Sequence, residues 1–116
     1  MEALIAAFGN SMRGLAQAFR SGRAVRQEII TLVIAIPLAC AASQQIWVRI
    51  SLIGVLLVTL AVELLNTAIE KLCDHVTPER HSTIGIVKDL GSAAVLCMLV
   101  LTAVVWGGAL LEYVGF

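Results

Sequence analysis

The chain is built from three uninterrupted apolar stretches separated by short polar segments. No charged residue occurs in 29–48, 50–62 or 90–111. A helix of about 20 apolar residues crosses the hydrocarbon core of a bilayer. The middle stretch is shorter, but its helical pattern continues without Gly or Pro until Pro78. The pattern therefore predicts three transmembrane helices, at about 28–46, 47–75 and 88–112.

The segment before the first apolar stretch has a different pattern. Its apolar residues recur at helical spacing, with arginines interspersed, over about 2–24. Such a distribution is typical of an amphipathic helix that lies in a membrane surface or packs on a partner helix. The apolar positions are Leu4, Ile5, Phe8, Met12, Leu15 and Phe19.

Composition agrees with the membrane class. Hydrophobic residues make up 59% of the chain, charged residues 14%, and mean hydropathy is +0.95, whereas soluble domains are about half apolar and a quarter charged. Zero net charge gives no support to a nucleic-acid partner. With 116 residues we expect a single domain, 1–116, and any sizeable site to need further copies of the chain.

The basic residues predict an orientation. All of them except Arg49 fall in the N-terminal segment or in the 71–89 segment. Because basic residues concentrate in cytoplasmic loops, we expect the N-terminus and the 71–89 segment to be cytoplasmic.

Four polar residues follow the second apolar stretch at intervals of three and four: Glu63, Asn66, Glu70 and Asp74. This spacing puts them on one helix face. A charge at mid-bilayer costs about 3 kcal/mol or more, so the face must meet a polar interior, an interface or a cation. Alternatively, Glu70 simply begins the solvated cytoplasmic part. This is a weaker interpretation for Glu63, which lies closer to the apolar stretch.

Two more polar groups lie at the same predicted membrane face. Lys88, Asp89 and Ser92 open the third apolar stretch, and RAVRQE, at 23–28, precedes the first. Each alone is an ordinary interfacial anchor or helix-end charge. Together with the carboxylates they suit a divalent metal, a polyphosphate and an alcohol to be deprotonated. The phosphate-loop motifs GxxxxGK[ST] and GxGxxG are absent from the sequence.

These residues resemble the small prokaryotic integral-membrane diacylglycerol kinases and their undecaprenol kinase relatives. The family's E-(x)2-N-(S/T)-A-I-E element is matched at 63–70, and its K-D-(x)-(G/A)-(S/A)-A-A-V element at 88–95. The resemblance covers nearly the whole chain. It implies an all-α integral-membrane fold, with three transmembrane helices and the N-terminal surface helix assembled as a homotrimeric bundle with shared sites.

The resemblance also implies an activity: transfer of the ATP γ-phosphate to a membrane lipid alcohol at the cytoplasmic face of a bacterial inner membrane. Diacylglycerol, giving phosphatidic acid, is the favoured substrate, and Mg²⁺ the cofactor. Glu63 would be the general base, and Glu70 would hold the metal. ATP contacts would come from Lys88, Asp89, Glu79, His81 and Glu70. Lipid contacts would come from Arg26, Gln27, Glu28, Asn66 and Ser92.

The sequence departs from the family at two positions. Gly22 stands where relatives commonly carry an acidic residue that helps to hold metal, and Asn10 stands where they often have an aromatic residue. Gly22 leaves open the alternative of a non-catalytic membrane protein that binds lipid or nucleotide. Within the same class of enzyme, an undecaprenol kinase is the other alternative.

Overall fold

A computed structural model describes residues 1–76 and 82–116. In these residues the regular structure is entirely helical, which confirms the all-α class. Three of the helices are long and apolar enough to cross a membrane. The helices are α1 (Glu2–Ser21), α2 (Arg23–Ala42), α3 (Ile46–Val76) and α4 (Ser82–Tyr113).

The helices extend beyond the predicted membrane-crossing stretches. Helix α2 begins at Arg23 and α4 at Ser82, several residues before 28 and 88, because helical hydrogen bonding does not stop at the edge of an apolar run. Helix α1, expected to reach about 24, ends at Ser21. The backbone of Gly22 is extended there, although its N–H still donates to the Ala18 carbonyl oxygen at 2.7 Å.

Arg49 closes the turn between α2 and α3. Its Nε donates to the carbonyl oxygen of Ser43 at 2.7 Å, and its Nη2 to that of Cys40 at 3.0 Å and to Gln44 Oε1 at 3.2 Å. The last carbonyls of a helix have no partner within the helix, and a cation near them is favourable. One arginine therefore stabilises the end of α2 and fixes the start of α3 beside it.

Helix α3 is the centre of the fold, and it packs against both α2 and α4. One apolar cluster joins α1, α2 and α3 through Ala18, Val25 and Leu60. A second cluster combines Ala35 of α2 with Val55 and Leu56 of α3, and partly buried α4 residues cover it. Small residues on α1 and α2 allow the close approach that drives helix association where lipid replaces water.

Polar contacts join α3 to α4 within the apolar region. The Thr59 and Thr102 hydroxyl oxygens lie 3.1 Å apart. Each hydroxyl is also within donating distance of a carbonyl in its own helix. Because each hydroxyl has one proton, only two of these three contacts can be hydrogen bonds at the same time. The indole Nε1 of Trp106 donates to the Leu52 carbonyl oxygen at 3.1 Å, which is the more definite of the two links.

Much of the apolar surface of α4 is uncovered in the single chain. Its most apolar 18-residue stretch buries no residue, and large side chains such as Leu96, Val100 and Val104 are exposed. Exposed apolar patches of this extent mark contact with lipid or with other protein. The helices thus expose a hydrophobic outer surface and keep their polar contacts between them.

The Trp106 bond generates a prediction about stability. We expect Trp106→Phe to lower the free energy of unfolding by about 1 kcal/mol or more, because the bond to Leu52 is lost and the smaller phenyl ring packs less fully against the apolar cluster. The measurement is SDS-induced unfolding in detergent micelles, followed by far-ultraviolet circular dichroism. Trp47→Phe is the matched control, since Trp47 is 74% exposed. Equal losses in both variants would contradict the assignment.

Candidate active site

The polar stripe of α3 faces the inside of the helix bundle at its centre. Glu63 is 8% exposed and Asn66 7% exposed, and they continue the buried face on which Thr59 lies. Glu70, one turn further, is half-buried, and Asp74 is exposed. The stripe therefore runs from the packed interior of the bundle to its polar end, and Glu63 is the member that lies deepest.

The Glu63 carboxylate is unusual among buried charged groups. Its backbone carbonyl accepts a hydrogen bond from Thr67 Oγ1 at 2.9 Å. No donor reaches its side chain from the described parts of the chain, 1–76 and 82–116. The other charges nearby are carboxylates: Glu28 of α2 and Glu70 of α3 both interact with it electrostatically. A carboxylate without donors keeps its lone pairs free to accept a proton or a hydrogen bond from a ligand.

Asn66 links the buried end of the stripe to its outer end. Its side-chain Nδ2 donates to Glu70 Oε1 at 3.1 Å, as the i,i+4 spacing on a helix allows. Gly91, the buried residue of α4, lies against Asn66 at this level. Asn66 and Glu70, which the sequence predicts on one face, are thus brought into direct contact.

Lys88 brings the start of α4 to the end of the stripe. Its Nζ donates to Asp74 Oδ1 at 2.6 Å, and its charge also interacts with that of Glu70. The side chains of Lys88 and Asp74 are 39% and 67% exposed, so water screens the pair and its contribution to stability is small. The sequence did not predict this ion pair. The one available signal of it was the position of Asp74, one helical turn beyond Glu70 on the same face.

Other predicted site residues do not join this cluster. Asp89 and Ser92 are exposed. Asp89 follows Lys88 and Ser92 follows Gly91, and each is turned about 100° around the helix from that neighbour, which faces α3. Arg26 donates to the Phe19 carbonyl oxygen at 3.4 Å and so bridges α1 and α2. Gln27 is exposed, whereas Glu28 is half-buried. The predicted nucleotide residues Glu79 and His81 lie outside the described residues.

The donors present suit magnesium bound together with a nucleotide. The described residues contain no group of three or more His, Cys, Asp or Glu that could hold a metal ion. Mg²⁺, however, is commonly held by one or two carboxylates together with substrate phosphates. Glu70 offers a half-buried carboxylate of this kind. Its oxygens fit a hard cation that phosphate oxygens also ligate.

Gly22 lies at the α1–α2 junction, near this end of the stripe. The preceding residue, Ser21, accepts a hydrogen bond from Lys71 Nζ at 3.4 Å, and Lys71 is the neighbour of Glu70. A Cβ at Gly22 would lie 2.9 Å from the Ala18 carbonyl oxygen, closer than real contacts allow. The junction is therefore too tight for a side chain at 22 unless the backbone shifts, which gives a structural reason for the missing acidic residue.

Comparison with known proteins identifies the family of the chain. The family model for prokaryotic diacylglycerol kinase matches residues 9–110. The diacylglycerol kinase of Escherichia coli K12 is 36% identical over 103 residues, which cover 89% of this chain and 84% of the relative. The Haemophilus influenzae enzyme of that name is 39% identical over 100 residues, 86% and 85% of the two chains.

A third relative extends the match to almost the full chain. The diacylglycerol kinase of Pseudomonas aeruginosa is 39% identical over 111 residues, covering 96% of this chain and 90% of its own length. Three apolar helices of membrane-crossing length fit the same class. The resemblance read from the two motifs is confirmed: the chain belongs to the prokaryotic diacylglycerol kinase family, a family of phosphotransferases that act on an alcohol group.

Proposed function

We propose that the protein transfers the γ-phosphate of Mg-ATP to the hydroxyl group of diacylglycerol, giving phosphatidic acid. The observation that carries the proposal is the buried Glu63 carboxylate. It accepts no hydrogen bond from residues 1–76 and 82–116 and lies on a stripe that continues to Glu70 and to the Lys88–Asp74 pair. Family membership supports the reaction class, and the relatives described above are named for diacylglycerol.

Glu63 acts as the general base. Its free oxygen accepts the proton of the lipid hydroxyl while the hydroxyl oxygen forms its bond to the γ-phosphorus. The bond from that phosphorus to the β–γ bridging oxygen breaks, and ADP leaves. Burial suits this role, because a lipid hydroxyl enters from the apolar region where Glu63 lies.

The polar end of the stripe binds the nucleotide. Glu70 would hold magnesium, which would supply positive charge to the phosphate oxygens during transfer. Lys88, whose side chain is 39% exposed, exchanges Asp74 for a phosphate oxygen when ATP arrives. Phosphoryl transfer requires chiefly positioning and charge stabilisation, and these two carboxylates and the lysine provide part of both. Glu79 and His81 remain predicted nucleotide contacts.

The lipid approaches at the start of α2. Arg26, Gln27 and Glu28 form the proposed headgroup entrance, and Glu28 is half-buried towards Glu63. Asn66 and Ser92 are the further proposed lipid contacts. Helix α1 carries exposed Leu4, Ile5 and Phe8, which suit a helix lying in the membrane surface. With the distribution of basic residues, this favours a cytoplasmic N-terminus in a bacterial inner membrane.

A homotrimer with shared sites accounts for the residues that the single chain leaves apart. Asp89 and Ser92 are exposed at the level of the stripe, on a face of α4 that this chain does not cover. Asp89 lies where the apolar stretch of α4 begins, and a charge that faces hydrocarbon is costly unless it has a polar partner. We therefore expect Asp89 and Ser92 to complete the site of an adjacent copy.

The proposal is tested by the transfer of labelled phosphate from Mg-ATP to diacylglycerol and, in parallel, to undecaprenol, in lipid–detergent micelles. We expect label in phosphatidic acid. Label only in undecaprenyl phosphate would identify the alternative kinase. A folded protein that labels neither lipid would instead support the non-catalytic alternative, with Gly22 as its structural cause.

Replacing the base gives the second prediction. We expect Glu63→Gln to reduce the transfer rate on the order of 10²–10⁴-fold, because the amide cannot accept the proton while the side-chain shape is kept. The rate is measured in the same assay at saturating Mg-ATP. Glu112→Gln at the opposite end of α4 is the control and should keep the wild-type rate. A Glu63→Gln protein with more than a tenth of the wild-type rate would contradict the role.

The shared site gives the third prediction. Glu63→Gln and Asp89→Asn proteins should each be inactive alone. If each site takes the two residues from adjacent copies, subunits mixed at equal amounts should regain about a quarter of the wild-type activity, since one pairing in four restores a site. The activity is measured after unfolding the two variants together and refolding them. No recovery from correctly assembled mixed oligomers would mean that both residues act in one copy.

A further inference from the structure

Asn66 occupies a place in the structure that its contact with Glu70 alone does not explain. It is 7% exposed, and its amide lies between α3 and α4. The Nδ2 group donates to Glu70 Oε1 at 3.1 Å. An ionised carboxylate can only accept hydrogen bonds, so the amide nitrogen must face Glu70, and the amide oxygen must point the other way.

The amide oxygen points at Gly91. A Cβ built on Gly91 would overlap Asn66 Oδ1 and would lie 3.3 Å from Asn66 Cγ. Glycine carries a hydrogen atom where other residues carry Cβ, and this Cα–H group can make a weak contact with the oxygen. Oδ1 is otherwise buried without a hydrogen-bond partner in 1–76 and 82–116. The missing side chain of Gly91 thus forms a notch into which the amide oxygen fits.

The notch is specific to Gly91. Among the described residues, a Cβ at Gly85, on the same helix, would meet nothing within 4 Å, and the same holds for Gly54, Gly107 and Gly108. Gly91 is also the buried residue of α4. Of these glycines, Gly91 is therefore the one whose missing side chain makes room for the amide of Asn66.

The two contacts together fix the orientation of the amide. The last torsion of an asparagine side chain is broad when nothing restrains it. Here the oxygen is enclosed by Gly91 and the nitrogen is held by Glu70. The bond from Asn66 in turn holds the half-buried Glu70 side chain along α3. The positive charge of Lys88 also attracts Glu70. Lys88 stays paired with Asp74.

We propose that Asn66, seated in the notch at Gly91, is a positioning residue that holds the Glu70 carboxylate in the orientation in which it receives magnesium. This inference rests on the proposed function, because that function assigns the metal to Glu70. Hydrogen-bonding partners behind a metal ligand commonly change metal affinity by 10–100-fold when they are lost. The role differs from lipid contact, since it acts through Glu70 and the metal.

The test measures metal binding directly. Mn²⁺ replaces Mg²⁺, and its free and bound forms are followed by electron paramagnetic resonance with the purified protein in micelles and a non-hydrolysable ATP analogue. We expect Gly91→Ala to weaken Mn²⁺ binding about tenfold, because an added methyl group expels the amide oxygen and releases Glu70. Gly85→Ala makes the same change on the same helix in open space and should bind Mn²⁺ as the wild type does.

A double-mutant cycle separates positioning from general damage to the α3–α4 packing. Asn66→Ala should weaken Mn²⁺ binding to a similar degree. In that background Gly91→Ala should have no further effect, because the amide that collided with the new methyl group is gone. If Gly91→Ala costs the same affinity with and without Asn66, or if neither single variant changes Mn²⁺ affinity, the inference is overturned.

Glu70→Gln distinguishes failure of the inference from failure of the proposed function. If it weakens Mn²⁺ binding while Gly91→Ala and Asn66→Ala do not, Glu70 holds the metal without help from Asn66. If Glu70→Gln leaves Mn²⁺ binding unchanged, the metal lies elsewhere and both proposals about Glu70 fail. Phosphate transfer at increasing Mg²⁺ gives a second readout, in which Gly91→Ala should require more Mg²⁺ yet approach the wild-type rate at saturation.

Discussion

Charged and amide groups in a membrane-crossing helix must be turned away from the hydrocarbon, and this constraint organises the structure. Helix α3 carries Glu63 and Asn66 directly after an apolar run, and neither could face lipid at an acceptable cost. The solution is to place α2 and α4 on either side of α3. The polar stripe then lies inside the bundle, and the apolar side chains of α3 and α4 point outward.

The same arrangement provides chemistry as well as stability. Glu63 is buried and receives no donor from the described residues, which is unfavourable for a structural carboxylate but suitable for a base that meets an apolar substrate. Towards the polar end the groups become progressively more exposed, from Asn66 to Glu70 to Asp74. A lipid hydroxyl and a water-soluble nucleotide could therefore reach one stripe from opposite environments. A single helix face spanning both environments makes that possible.

Sequence patterns predicted the parts of this structure that depend on periodicity. Apolar run lengths predicted the three long helices, and the 3–4 spacing predicted that Glu63, Asn66 and Glu70 share a face. The features that depend on contacts between helices were not predictable. The sequence shows a glycine in a run of small residues, but it does not show that Gly91 lies against the Asn66 amide. Nor does the sequence show that Asp74 pairs with Lys88. The end of α1 at Ser21 likewise depends on how tightly Gly22 lies against Ala18.

Arg49 has a consequence for how the chain enters a membrane. It is the one basic residue in the turn expected on the outer side, where an unpaired cation would oppose translocation. Its guanidinium is instead surrounded by the Ser43 and Cys40 carbonyls and the Gln44 amide oxygen. The negative end of the α2 dipole therefore offsets part of the arginine's charge. If α2 and α3 are translocated as a hairpin, its tip carries one cation that carbonyl oxygens already hold, and the other charges expected to fix the topology lie at the opposite ends of the two helices.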